Sequence, residues 1–267
     1  MKTTILSGLM ALTLGCATTH FNVETFQNNT VNSDFQDRYA VVVIGSHDIG
    51  NYSGIPESQN PFVAQGRGVY NQLKRLGFKE ENMIFLSGND ASARVLEDKL
   101  EEMSIKVDGN DLFVIYIGTH GNPFALEMEA DGTEMMTVSE LSWMLEDIKP
   151  KLGLIYVDAC YSGSFISDIE LENYVAISST GHYTPSYSNT TFSAGLEFFT
   201  TLKNQGADLN EDGYITIAEA FISSNESALR YQQEQINNGS ELAEIAGFEQ
   251  EMYVGDNVSE YYYIGGN

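Results

Sequence analysis

The sequence predicts an α/β fold, a three-layer α/β/α sandwich on a mostly parallel sheet, in one domain over residues 38–267. Three observations predict it. Short β-branched segments, apolar on both faces, recur along the chain. Such segments suit strands buried in a parallel sheet. Segments with helical apolar spacing separate them, as right-handed crossovers require. No internal repeat and no linker rich in Pro, Gly and Ser divides the chain, although 267 residues would allow one or two domains at ~150 residues each.

The elements follow in order. Tyr39 to Ile44 is the first buried strand, ending at Gly45. Gly50 to Pro61 reads as a loop. Phe62, Gly66, Val69, Leu73 and Leu76 then recur at helical spacing until Gly77 stops the helix. Met83 to Leu86 is a second strand, closed by Ser87-Gly88, and Ser92 to Met103 is helical. Asp111 to Ile117 is a third strand. Thr137-Val138-Ser139-Glu140 reads as a capping box opening a helix to about Asp147. Leu152 to Val157 and Tyr174 to Ser178 are the fourth and fifth strands, and Phe192 to Lys203 is a helix. After Glu219 the chain is helical to about Ile236, and Tyr261 to Ile264 is a candidate edge strand.

Composition excludes several functions. The chain has 38 Asp and Glu against 13 Lys and Arg, a net charge of −25. Phosphate backbones need Lys and Arg, so nucleic acid is an unsuitable partner. Anionic lipid is unsuitable for the same reason. Hydrophobic residues make up 42% of the chain, which rules out wholesale disorder.

The N-terminus has the pattern of an export signal. Lys2 precedes an apolar run from Ile5 to Leu14, and Gly15-Cys16-Ala17 supplies small residues. Leu12-Thr13-Leu14-Gly15-Cys16 resembles a bacterial lipoprotein box, which implies acylation of Cys16 and a membrane contact only through that anchor. Thr13 departs from the aliphatic residue usual there, and a plain cleavage after Ala17 also fits. Residues 1–16 are then the signal and residues 17–37 a polar tether, on an exported protein of the cell envelope or the medium. Of the two cysteines, Cys160 is left in the folded body, as a buried small hydrophobe or a reactive group.

In parallel sheets the working residues lie just past the carboxyl ends of strands. The third strand runs into Gly118-Thr119-His120-Gly121, and the fourth into Asp158-Ala159-Cys160-Tyr161-Ser162-Gly163. If the two strands are neighbours, an imidazole and a thiol meet at one rim. Thiol nucleophiles attack as thiolates, and a nearby His manages the proton. The glycines admit close backbone approach, and free amides there suit an oxyanion. No His-x-x-x-His or Cys-x-x-Cys spacing supports zinc, and no Gly-rich phosphate loop is present. His47 and His182 read as surface or site-edge residues, and His20 falls in the tether.

An apolar strand ending in His-Gly, followed about 40 residues later by one ending in Asp-Ala-Cys-x-Ser-Gly, resembles the caspase-like cysteine peptidases. That group includes caspases, metacaspases and legumain-type peptidases. The likeness extends over roughly 38–222. Val69-Tyr70-Asn71-Gln72-Leu73, then Leu76-Gly77-Phe78 and Asn82-Met83-Ile84, are similar to the legumain and metacaspase layout. The resemblance implies a catalytic dyad of His120 and Cys160, with the amides of Gly121 and Cys160 lining the oxyanion hole. It also implies that Asp158, two before the thiol, helps line the pocket for the side chain preceding the cut. Metacaspases carry Asp there and cut after Arg or Lys. Legumains carry Glu and add an Arg-His pair after the first strand, where this chain has His47-Asp48. A buried carboxylate wants a cation, so a basic substrate side chain is the simplest expectation. The bland alternative is that Asp158 only hydrogen-bonds a loop.

One further pattern stands out. Asp208 to Glu219 fits the twelve-residue EF-hand loop. Asp208, Asn210 and Asp212 supply oxygens at the first, third and fifth places, and Gly213 the sharp turn. Tyr214 offers its carbonyl, Thr216 a ninth-place ligand and Glu219 a bidentate carboxylate. Calcium is the expected ion; the alternative is an acidic surface turn.

The sequence therefore leads to an exported cysteine endopeptidase acting on peptide or protein substrates and cleaving after basic residues (Arg or Lys), with no cofactor for catalysis. Two alternatives stay open: an inactive calcium-binding surface protein on the same fold, and a legumain-like Asn-specific peptidase or acyl-transferring enzyme on the same dyad.

Overall fold

A computed structural model of the chain describes residues 34–46, 54–56, 59–129, 131–186, 192–247, 250–256 and 263–264. The predicted export signal with Cys16, His20 and His47-Asp48 lie outside these residues. The central sheet has six strands. They are β1 (Arg38–Ile44), β2 (Met83–Ser87), β3 (Leu112–Gly118), β7 (Leu152–Asp158), β8 (Tyr174–Ser178) and β9 (Glu251–Val254), in the order β2-β1-β3-β7-β8-β9. The first five pair in parallel, and β9 closes one edge antiparallel to β8. β1, β3 and β7 are almost wholly buried because helices cover both faces. That two-sided burial is why these strands read as unbroken apolar runs.

Two helical layers flank the sheet. On one face α2 (Ala93–Ser104), α3 (Val138–Leu145) and α4 (Ser162–Ile166) share a core with Val41, Val43, Phe113, Ile115, Ile155 and Val157. On the other, α1 (Pro61–Arg75) packs against β1 and α5 (Ala194–Thr201), and α5 packs against α6 (Ile217–Asn237). Tyr116 and Tyr156 point to this second face, where their rings meet Phe199 and Phe198 at centroid distances of 6.1 and 5.3 Å.

The helix starts follow local chemistry. Asn60 caps α1 with Pro61 in its first turn, Ser92 caps α2, and Thr137 with Glu140 forms the predicted capping box of α3.

The structure adds elements that the apolar pattern did not mark. A small antiparallel sheet, β4 (Gly121–Asn122), β5 (Ala125–Met128) and β6 (Glu134–Thr137), fills the crossover after β3. A short helix, α7 (Glu241–Ile245), and β9 follow α6. The predicted C-terminal edge strand is reduced, among the described residues, to a single bridge between Tyr263 and Thr216. No helix of the described residues is long and apolar enough to cross a membrane.

Candidate active site

β3 and β7 are adjacent and parallel, with Gly118 beside Asp158. The ladder continues one step past the strands, because the Thr119 amide donates to the Asp158 carbonyl at 3.1 Å. His120 and Cys160 therefore leave the sheet at the same rim. Both line one cavity of about 350 Å³, together with Phe62, Tyr116, Asp158 and Ser186.

Backbone bonds fix the two loops. The His120 carbonyl accepts from the Glu127 amide at 2.9 Å, which ties the His loop to β5. The Thr119 hydroxyl donates to the Glu127 carbonyl and accepts from the Ser46 amide, so the ends of β1, β3 and β5 are bound together. The Phe62 ring lies against the His120 imidazole at 5.0 Å between centroids. A Cβ on Gly121 would stand 2.4 Å from the Cys160 carbonyl oxygen. Only glycine lets the His and Cys loops approach this closely.

Past the thiol, Tyr161 adopts a left-handed backbone (φ 59°) that turns the chain into α4. Its amide donates to the Thr184 carbonyl at 3.0 Å, and the Cys160 thiol donates to the Ser186 carbonyl at 3.7 Å. Burial pushes the Cys160 pKa up, and the negative charges of Asp158 and Glu127 push it further. The resting thiol is therefore favoured over the thiolate, and attack requires a base to take its proton.

Asp158 is buried at the cavity wall. Its carboxylate accepts from the Tyr116 hydroxyl and the Gly195 amide, each at 3.1 Å, and also from Ser193 and Ser179. Gly195 sits in the first turn of α5, whose dipole favours a negative charge there. Desolvation still dominates and raises the Asp158 pKa. All these donors are neutral, and among the described residues His120 is the only ionisable basic side chain lining the cavity. The donors Tyr116, Ser193 and Gly195, the Ser186 carbonyl and Phe62 were not marked by the sequence. No local motif signals them, since they arrive from β3, the start of α5, the segment after β8 and α1, which are far apart in the chain.

The EF-hand-like loop lies away from this cavity. Asp208 accepts from the Asp212 and Gly213 amides, Asp212 accepts from the Tyr214 amide, and Gly213 is left-handed at φ 89°. These bonds curl the loop as the pattern predicts. Glu219 is fully buried and its carboxylate is shared among the amides of Leu209, Asn210 and Thr216 and the Thr216 hydroxyl. It thereby forms a capping box that opens α6. Lys203 and Asp208 line a neighbouring cavity of about 150 Å³. Among the described residues, no three His, Cys, Asp or Glu side chains converge as a metal site. The hard oxygen donors suit calcium, but ligation by Glu219 would require it to exchange its present bonds for the ion.

Comparison with known proteins agrees with the geometry. Residues 94–221, just under half of the chain, match the sequence model of the peptidase C13 family. That span holds His120, Cys160 and Asp158. The crystal structure of caspase-1 from Spodoptera frugiperda superposes with a TM-score of 0.61 at 13% identity, covering 88% of this chain and 92% of that one. No curated protein matches the chain. The fold is that of the caspase-like, legumain-type cysteine peptidases. Family match and fold together support a cysteine peptidase acting on peptides or proteins.

Proposed function

We propose that the protein is a cysteine endopeptidase in which Cys160 attacks the scissile carbonyl and His120 handles the proton, cutting after Arg or Lys. The observation that carries this reading is the shared cavity of His120, Cys160 and Asp158 at the ends of two adjacent strands. His120 takes the proton as the sulfur attacks, then returns it to the leaving amine; water opens the acyl-enzyme. The amides of Gly121 and Cys160 are the proposed donors to the oxyanion.

Asp158 supports the basic preference. Its carboxylate is desolvated, has neutral donors among the described residues, and faces the cavity. A substrate guanidinium or ammonium would supply the missing countercharge and favour basic over neutral side chains by ~10²-fold. A peptide-library cleavage profile of wild type beside Cys160→Ala tests both parts. Loss of all cleavage in a folded Cys160→Ala protein is expected, with His120→Ala slower by ~10³-fold or more. Near-wild-type turnover by Cys160→Ala would end the thiol mechanism. Cuts after Asn or Asp, with Arg and Lys refused, would overturn the specificity and leave the dyad standing.

Two further parts of the reading concern the chain outside the cavity. Export with acylation at Cys16 rests on the signal-like N-terminus, and fatty-acid labelling lost in Cys16→Ser tests it. Calcium at Asp208, Asn210, Asp212, the Tyr214 carbonyl and Glu219 rests on ligand type and loop curl.

A further inference from the structure

The cavity is chemically divided. Tyr116, Thr119 and Asp158 form a polar wall, whereas Phe62, Pro185, Leu242, Ile245 and Ala246 form an apolar one. Three of these five, Leu242, Ile245 and Ala246, come from α7 and its C-cap, more than a hundred residues from β3 in sequence. This helix is held in place rather than left as a loose flap. The Gln232 amide group donates to the Ala243 carbonyl at 2.9 Å and to the Ala246 carbonyl at 2.7 Å. The Gly247 amide donates to the Pro185 carbonyl at 2.8 Å, next to the Ser186 carbonyl that accepts from the thiol. Ala243 is fully buried, and Ala246 packs with Phe192 and Ala228.

With that side anchored, Leu242 and Ile245 remain 62% and 67% exposed at the cavity edge. Three residues apart on one helix, they share a face. The helix's other exposed positions are Glu241 and Glu244. Two aliphatic side chains so exposed, at the mouth of a cavity holding a nucleophile, form a ready surface for substrate.

We infer that α7 builds a second subsite, in which Leu242, Ile245 and Phe62 take an apolar side chain of the peptide close to the basic residue held at Asp158. This rests on the peptidase reading above. The occupant is fixed by continuity: the apolar wall and the dyad bound one space, so the chain entering for cleavage is what passes over it. Glu241 and Glu244 add attraction for a basic peptide and repulsion for an acidic one.

The test uses peptides with one Arg and with Leu or Ser scanned through two positions on each side. In the wild type, Leu at one position should raise kcat/KM about tenfold over Ser, through KM. In Leu242→Ser/Ile245→Ser that ratio should fall to about one. Trp143→Ser, an exposed apolar change on α3 far from the cavity lining, should keep the ratio. A wild type indifferent to Leu at every position would overturn the subsite, as would a double variant that keeps the ratio. If the wild type cleaves nothing, the peptidase reading fails on its own. Fluorescence anisotropy of the same peptides on Cys160→Ala then judges the subsite. Tighter binding of the Leu peptide, lost with the double substitution, supports it, and equal binding of the Leu and Ser peptides overturns it.

Discussion

At the residue scale, Gly121 and Asp158 tie packing to chemistry. Gly121→Ala would drive a methyl into the Cys160 carbonyl, backbone against side chain, with no flexible neighbour to yield. The two loops must part, and small misplacements of reacting groups are costly. We expect kcat/KM to fall by ~10²-fold with little loss of secondary structure, measured by peptide cleavage beside circular dichroism. Asp158→Asn separates function from stability. The folded state raises the Asp158 pKa, so the native protein holds that proton more tightly than the unfolded chain. The ionised form works against folding, and the group's contribution becomes favourable only as pH falls. Asp158→Asn should therefore melt no lower than wild type at pH 7 while losing its preference for Arg. Removing that charge should also lower the Cys160 pKa, which burial keeps high. The pH profile of thiol alkylation should move to lower pH. A clear drop in melting temperature would make Asp158 a structural residue first.

Element-scale behaviour centres on the start of α6. Thr216 and Glu219 cap this long helix, and the Thr216–Tyr263 bridge stitches the C-terminal segment to the same point. Thr216→Ala should cost about 1 kcal/mol, read by denaturant melts. A calcium ion bound in the loop would compete for the same Glu219 carboxylate. If the loop binds the ion, millimolar calcium raises the melting temperature by mass action, and Asp208→Ala abolishes the gain. No stabilisation and no heat on titration would leave the loop as a hydrogen-bonded turn. Lys203 at the neighbouring cavity opposes a cation, so the affinity should rise in Lys203→Gln.

For the whole molecule, charge is the governing quantity. A net charge of −25 attracts basic peptides before any pocket is reached. The Debye length shrinks from ~30 Å at 0.01 M salt to ~3 Å at 1 M, so this steering is easily screened. Raising salt over that range should lower kcat/KM for Arg peptides carrying extra Lys by ~10-fold or more, and change it little for peptides whose only charge is the cleaved Arg. Equal salt dependence for both sets would confine electrostatics to the Asp158 pocket.

What the sequence determined by itself is the frame. Strands buried on both faces must be apolar throughout, so β1, β3 and β7 were legible as unbroken runs, and the capping box of α3 was legible from Thr137 and Glu140. The positions of His120 and Cys160 past strand ends were legible for the same reason. The small sheet β4–β6 was not, because strands of two to four residues carry too little pattern to register. Only the tertiary structure decided what surrounds the thiol. Tyr116 and Gly195 meet Asp158 because α5 packs on the sheet, Phe62 reaches His120 from α1, and Leu242 reaches the cavity on α7. Such contacts join residues far apart in the chain. They are set by how helices seat on the open sheet, which no local spacing encodes.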